Sequence, residues 1–499
     1  MAYACFMPEV FLFTDTLLLP KWYLLIVTVL GWILWQVCKR QQYAEKCCVN
    51  FINWTKDALI LAAVFECCFV AYRITINGMS PIGEFGTFDN PAGLAVCMSI
   101  ALPVAIDRMM EQEGYVRKAL YAFASLCIGA VVILSKSRTG IICLAMYGII
   151  YLFVYMKCRK WMKVCALIVI SAMVVIFVLS NKKASSSGRF FILQNTFELI
   201  REKTFLGYGH EGFERNYMCK QAEFFAQHKN SEYSMLADEM QHPLNEFAYV
   251  WVNYGVAAPI AMMLLFVCPL VVGIRKRNRL LLTLQLPALA VFVFSLFSYP
   301  FHYPLPWCVM ATDLLVCINM VGWKCKMERL GIQFAVCAFC VLMFIGLGFD
   351  AWKEYKWKQA WKDLCLEKKD ALSEYAQLFP YFSSNSYFLY NYTYALFSEG
   401  RYMEAFDMGK CCQNYWNGYN LQLLMGDACR MAKNYDDAIT HYSHANNMCP
   451  SRLAPLEGLY IVYDENAQED KRIQIAERIQ KHEVKVQSYD TQRIKTTCK

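Results

Sequence analysis

Two arginines and a histidine are the residues of this chain best suited to chemistry. Arg138 stands in SKSRTG (135–140), Arg189 in SSSGRF (185–190) and His242 in QHPLN (241–245). A guanidinium is planar and permanently charged, and it grips phosphate oxygens through paired N–H groups. An imidazole changes charge near neutral pH, so it can take a proton from a hydroxyl. Together these groups would serve a displacement in which a hydroxyl is activated and a diphosphate departs, because guanidinium groups stabilise the developing charge. His210, in Gly207-Tyr208-Gly209-His210, is a rival base, although its flanking glycines read as a tight turn. His228 lies in a polar run and reads as solvated. Asn90, before Pro91, either starts a helix or lines the site. Each has an ordinary alternative: an interfacial anchor for Arg138, a solvated or capping residue for Arg189, a helix-capping residue for His242.

These residues need a membrane to act in. Of 499 residues, 57% are hydrophobic and 18% charged, with a mean hydropathy of +0.27 and a net charge of +8. A soluble chain of this length carries more charge. The average hides a division into an apolar body, residues 1–349, and a polar tail, 350–499. Apolar segments of spanning length fall near 22–38, 57–77, 91–106, 119–135, 141–156, 164–180, 256–274, 280–298, 303–322 and 330–349, about ten in all. Basic residues gather after every second span, at 39–56, 108–118, 157–163, 275–279 and 324–329. The positive-inside rule then places the N-terminus, the polar loop 181–255 and the tail outside the cytoplasm. Residues 1–20 lack the basic start of a cleavable signal peptide. Arg138 falls at the outer end of a span, where a lipid head group lies.

The stretch from Pro243 to Ile274 is too long for one span at about 1.5 Å per residue. It divides at Tyr254-Gly255, with Leu244, Phe247, Ala248 and Trp251 on one helical face. Pro243 fits a first helical turn, which would set His242 at the helix's positive end. Glu66 and Asp313 lie inside predicted spans and need partners there; Arg73, two turns beyond Glu66, is one. Tyr299, Tyr303 and Trp307 read as part of an interfacial belt. The twenty-four cysteines fall mostly in apolar runs, no Cys/His cluster shows zinc-ligand spacing, and neither metal nor cofactor is expected.

The tail carries a helical-repeat signal. Gly426, Ala428, Tyr435, Ala438, Tyr442, Ala445 and Pro450 follow a tetratricopeptide-like pattern, and Gly400–Ala405 copies Lys433–Ala438 33 residues earlier. Such a tail offers a surface for a protein partner. The fold class is therefore all-α: a polytopic membrane protein with a large extracytoplasmic loop and a C-terminal helical-repeat domain.

Four stretches in order, GTFDNPAGLA (86–95), SKSRTGIICLA (135–145), SSSGRFFILQNTFELIREKTFLGYGHEGF (185–213) and QHPLNEFAYVWVNYGVAAP (241–259), resemble the O-antigen ligase family. That family includes lipopolysaccharide O-antigen ligases, O-antigen polymerases and protein O-oligosaccharyltransferases. The resemblance covers roughly residues 57–322 and implies a metal-independent, inverting glycosyltransferase in a bacterial inner membrane, its tail periplasmic. The donor would be a glycan on a polyprenyl diphosphate, and the acceptor lipid A-core or another hydroxyl. By motif, Arg138 and Arg189 correspond to the diphosphate-binding arginines and His242 to the base. Asn245, Gly207, Gly209, His210 and Asn90 join them as candidate substrate-binding residues. In many members the histidine directly precedes the asparagine, whereas here two residues separate His242 from Asn245. Two non-enzymatic classes compete, a lipid-linked sugar flippase and a membrane-anchored scaffold. The first would show internal repeats and broken spans, and the second leaves the arginines and the histidine without a role. No nucleic-acid partner is expected.

Overall fold

The computed structural model describes residues 13–38, 44–80, 83–154, 183–277, 279–321, 330–367 and 371–498. Every regular element among them is helical. The chain divides into two compact units, one of residues 1–181 and 260–355, the other of residues 182–259 and 356–499. The polar loop and the tail thus share a unit, which their separation in sequence does not reveal.

The first unit holds α1 (Leu19–Cys38), α2 (Ala44–Asn77), α3 (Pro91–Glu111), α4 (Tyr115–Leu134), α5 (Arg138–Val154), α10 (Arg279–Phe297) and α11 (Pro304–Val321), with most of α9 (Ala257–Lys276) and α12 (Leu330–Cys365). Residues 53–77 of α2, and α3, α4, α9 and the stretch 335–365 of α12, are long and apolar enough to cross a membrane. Four shorter apolar helices lie at 19–34, 138–153, 283–297 and 304–318. Nine of the ten expected spans therefore have a helix, and the tenth, 164–180, lies outside the described residues. The protein is a polytopic α-helical membrane protein.

Helix α3 is the hub of this unit. Two thirds of its apolar stretch is buried, against about a fifth for α4 and α9, whose outward faces carry exposed Leu, Ile and Phe suited to lipid. Close packing around α3 depends on small residues: a side chain at Gly140 of α5 would meet Ala95 and Val132. The Tyr147 hydroxyl bonds the carbonyls of Ser99, at 2.9 Å, and Leu286, at 3.0 Å, joining α5 to α3 and α10. At the C-terminal end of α3, Arg108 forks onto Asp57, with both N–O distances 2.8 Å, and Tyr121 donates to the same carboxylate.

The second unit contains α6 (Lys183–Glu202), α7 (Gly212–Gln227), a 3-10 turn at Glu232–Met235 and α8 (Glu246–Tyr254). Its tail contributes α13 (Ala371–Phe382), α14 (Ser386–Ser398), α15 (Tyr402–Gln413), α16 (Tyr419–Met431), α17 (Tyr435–Met448), α18 (Ala454–Glu465), α19 (Glu469–Lys481) and α20 (Tyr489–Thr497). Three helical hairpins, α14–α15, α16–α17 and α18–α19, recur in register. Their turns place Gly400, Lys433 and Ala467, spaced 33 and 34 residues apart, in the left-handed region. Each turn closes with the same six-residue backbone bond: Arg401 to Leu396, Asn434 to Cys429 and Gln468 to Tyr463. The third copy lacks the aromatic residue, Tyr402 and Tyr435, that marks the first two. Tyr442 fills the space left by Gly426 and Gly458, where a β-carbon would come within 2.8 and 2.5 Å of its ring.

Loop and tail share a core. Leu199, Phe213, Tyr217, Met218, Ala248 and Val252 pack with Tyr419, Ala445, Met448 and Cys449. Gln221 Nε2 reaches the Met448 carbonyl at 2.7 Å, and Arg215 reaches the Asn414 carbonyl at 3.2 Å. The described cysteines, Cys411 and Cys412 included, are free thiols.

Candidate functional site

The candidate residues form two groups, one in each unit. In the first unit the stretches 86–95 and 135–145 meet at the start of α3. Glu84 N–H donates to the Leu134 carbonyl at 3.1 Å, and Gly83 lies so close to the Ser135 carbonyl that a β-carbon would approach it to 2.2 Å. Asn90 caps α3: its Oδ1 accepts from Gly93 N–H at 2.9 Å. Its Nδ2 donates to Asp89 and to the hydroxyls of Tyr299, at 2.8 Å, and Tyr303, at 2.7 Å. Tyr303 in turn donates to Asp89 at 2.7 Å. Tyr299 and Tyr303, expected to be belt residues, belong instead to this network, which ties α3 to the turn before α11. Arg138 begins α5, half-buried, beyond the Ser135–Ser137 turn.

Below the network, buried Glu66 does not pair with Arg73 as expected. Its carboxylate accepts from Thr87 N–H, at 2.8 Å, and from the Thr87 hydroxyl, at 2.9 Å. Arg73 donates to the Gly86 carbonyl at 2.7 Å. Fully buried Lys21 donates to the Thr87 carbonyl at 2.7 Å and sits 3.7 Å over the Phe88 ring. Three charged side chains thus hold residues 85–88, and nothing in sequence marks Lys21 as one of them. Asp313 finds Gln285 Nε2 at 3.0 Å.

The second unit holds Arg189, Gly207, Gly209, His210, His242 and Asn245. The division at Tyr254-Gly255 holds, but α8 starts at Glu246, capped by Asn245 Oδ1 accepting from Ala248 N–H at 2.9 Å. Pro243 therefore lies outside the helix, because the asparagine side chain satisfies an orphan N–H that proline at the first turn would not. Between them Leu244 is left-handed, with φ +56, a conformation a branched side chain adopts only under constraint.

His242 is held on several sides. Leu244 N–H donates to its Nδ1 at 3.1 Å, its ring stacks on Tyr249 at 4.5 Å, and Nε2 faces the buried Glu246 carboxylate at 3.7 Å. With Nδ1 accepting, Nε2 is the ring nitrogen that carries a hydrogen toward Glu246. Tyr249 donates to Glu214 at 2.8 Å; burial, then the Glu214 carboxylate, raises its phenol far above the ordinary range. Glu246, Tyr249 and Glu214 were not singled out from sequence; the four- and seven-residue steps from His242 to Glu246 and Tyr249 are the available signal.

Gly207 is set by close packing, and Gly209 by its backbone conformation alone. Both have positive φ, and their segment bonds the end of α8 through Tyr208 N–H to Val252 and Gly209 N–H to Asn253, both 2.8 Å. A β-carbon on Gly207 would lie 2.5 Å from the Asn253 carbonyl. His210 is exposed, its Nδ1 3.2 Å from the Tyr254 hydroxyl. Arg189 is half-buried in the first half of α6. Among the described residues no three His, Cys, Asp or Glu side chains gather as metal ligands, and the Cys337/Cys340 pair, a Cys-x-x-Cys overlooked in sequence, lies in apolar α12.

The crystal structure of the yeast Tom70 aligns over 96% of this chain and 95% of its own, at 10% identity and a TM-score of 0.25, too low to bear on the fold. No curated protein matches the chain. Residues 123–263, from within α4 to the start of α9, match the family model described as O-antigen ligase.

Proposed function

We propose that this protein transfers a glycan from a polyprenyl diphosphate to an acceptor hydroxyl, in the manner of an O-antigen ligase. The observation that carries the reading is the family match over 123–263, a segment that contains Arg138, Arg189, His210, His242 and Asn245. The placement of the His242 ring, its Nε2 3.7 Å from a buried carboxylate, supports it.

In the proposed reaction the acceptor oxygen bonds the anomeric carbon as the bond from that carbon to the diphosphate oxygen breaks. The hydroxyl proton passes to His242 Nδ1, which exchanges the Leu244 N–H for it, and Glu246 balances the resulting imidazolium. Arg138 and Arg189 neutralise the departing diphosphate. No step is assigned to a metal. The reaction faces the periplasm of a bacterial inner membrane, as the basic loops indicate, with the tail on the same side. Lipid A-core is the favoured acceptor, ahead of a second lipid-linked glycan or a protein hydroxyl.

The test is transfer by purified protein from a polyprenyl-diphosphate glycan, with EDTA, to each acceptor in turn. His242→Ala and Arg189→Ala should each lower the rate by about 10²–10⁴-fold. Full activity in His242→Ala would move the base to His210. Absence of transfer together with lipid flipping would replace the reading with a transporter. Thiol labelling of single cysteines at Lys136 and Arg275 checks sidedness: the first should react from outside, the second only after permeabilisation.

A further inference from the structure

The ten residues before α8, 236–245, contain no regular structure, so their conformation must be imposed from outside. The grip comes largely from the tail. Arg452, before α18, pairs with Asp238, and Lys485, before α20, reaches the same carboxylate at 3.3 Å. Asn420 Nδ2, on α16, donates to Glu239 Oε2 at 3.0 Å. The Tyr387 hydroxyl, on α14, donates to Gln241 Oε1 at 2.9 Å. From the loop side, Gln221 Nε2 donates to the Asp238 carbonyl at 3.1 Å and to Met448 of the tail, joining all three parts.

Gly418 shows how close this fit is. Its φ is −98, which any residue adopts, yet a β-carbon there would stand 2.2 Å from Glu239 Oε1. The Trp416 ring of the tail is equally close, at 2.2 Å, so glycine is set there by the loop carboxylate and this ring together rather than by the backbone's own needs. Tyr387 is equally specific in its contact: its side chain is 62% exposed, so its hydroxyl reaches Gln241 with little core packing behind it.

We propose that the helical repeats of the tail are the positioning element for the His242 segment, with Tyr387, Asn420, Arg452 and Lys485 fixing residues 238–241 so that His242 is presented in one orientation. The catalytic consequence rests on the reading of His242 as the base. The four side chains come from separate points along the repeats and converge on three of the four residues preceding His242. The Tyr387 contact adjoins His242 itself. A shift of about 1 Å at a reacting group costs up to a hundredfold in rate, so contacts worth little in stability weigh heavily in transfer. The repeats act here on their own chain, by holding the loop.

Two variants of the full-length protein test this. Tyr387→Phe removes one oxygen, and Asn420→Asp keeps the volume but sets a carboxylate against Glu239; Tyr489→Phe, in an exposed tyrosine away from the segment, is the control. Hydrogen exchange read by mass spectrometry should quicken at amides 238–245 in both variants, with amides of α15–α17 and the control unchanged. Turnover should fall about ten- to a hundredfold in kcat, with KM for the lipid-linked glycan held. Unchanged exchange at 238–245 would overturn the proposal, and so would faster exchange with wild-type kcat. Exchange is read without activity. If the wild-type protein transfers nothing and exchange still quickens, the positioning contacts stand and the assignment of His242 as base falls.

Discussion

Gly207, Asn90 and Leu244 each carry a structural duty or strain of their own. Gly207 and Asn90 are candidate substrate-binding residues by resemblance alone, and both have structural duties. Gly207→Ala combines a left-handed β-carbon penalty with a 2.5 Å approach to the Asn253 carbonyl. It should cost more than about 2 kcal/mol, read as a lowered melting temperature of the purified protein. A changed KM with an unchanged melt would return Gly207 to substrate binding. Asn90→Ala removes the α3 cap and should cost about 1 kcal/mol. Leu244→Gly relieves the left-handed strain beside His242 but loosens the donor to Nδ1. We expect a more stable protein with slower transfer, and faster transfer would show that the strain serves no purpose.

At the scale of elements, the repeat turns are the cleanest case. Gly400, Lys433 and Ala467 share one conformation, and only the first is a glycine. Ala467→Gly should therefore stabilise the protein by up to about 1 kcal/mol, seen as a rise in melting temperature. The same part of the tail carries half-buried imidazoles. Burial pushes His441, His444 and His482 below the ordinary value; Lys410 and His444 act in the same direction at His441, where Asp437 opposes them. The unfolded chain then takes up protons that the folded tail refuses. This stability is present above about pH 6.5 and is lost as pH falls through the folded values. Thermal melts from pH 7.5 to 5.0 should show a falling midpoint, and His441→Gln should flatten the slope.

For the whole molecule, the pairing of loop and tail has the widest consequence. A chain ending at Tyr355 would leave Phe213, Tyr217 and Met218 without Tyr419, Ala445 and Met448. The loop 182–259 should then be cut rapidly by added protease, while the membrane unit still inserts. A loop as resistant as in the full chain would show that it folds without the tail.

The sequence by itself determined the helical class, the places of the described spans, the break at Tyr254-Gly255 and two of the three repeat hairpins. Hydrophobic runs, helical periodicity and glycine are local signals, and each of these features is a local event. It also marked His242, whose type alone suits proton transfer. Only the tertiary structure decided that Glu66 holds Thr87, that Lys21 and Tyr303 join the polar network at α3, and that Glu246 faces His242. The docking of the tail onto the loop, through contacts 146 to 247 residues apart in sequence, was likewise beyond reach. These depend on side chains brought together from distant points, and Coulomb forces and packing act on separation in space, which residue spacing does not record.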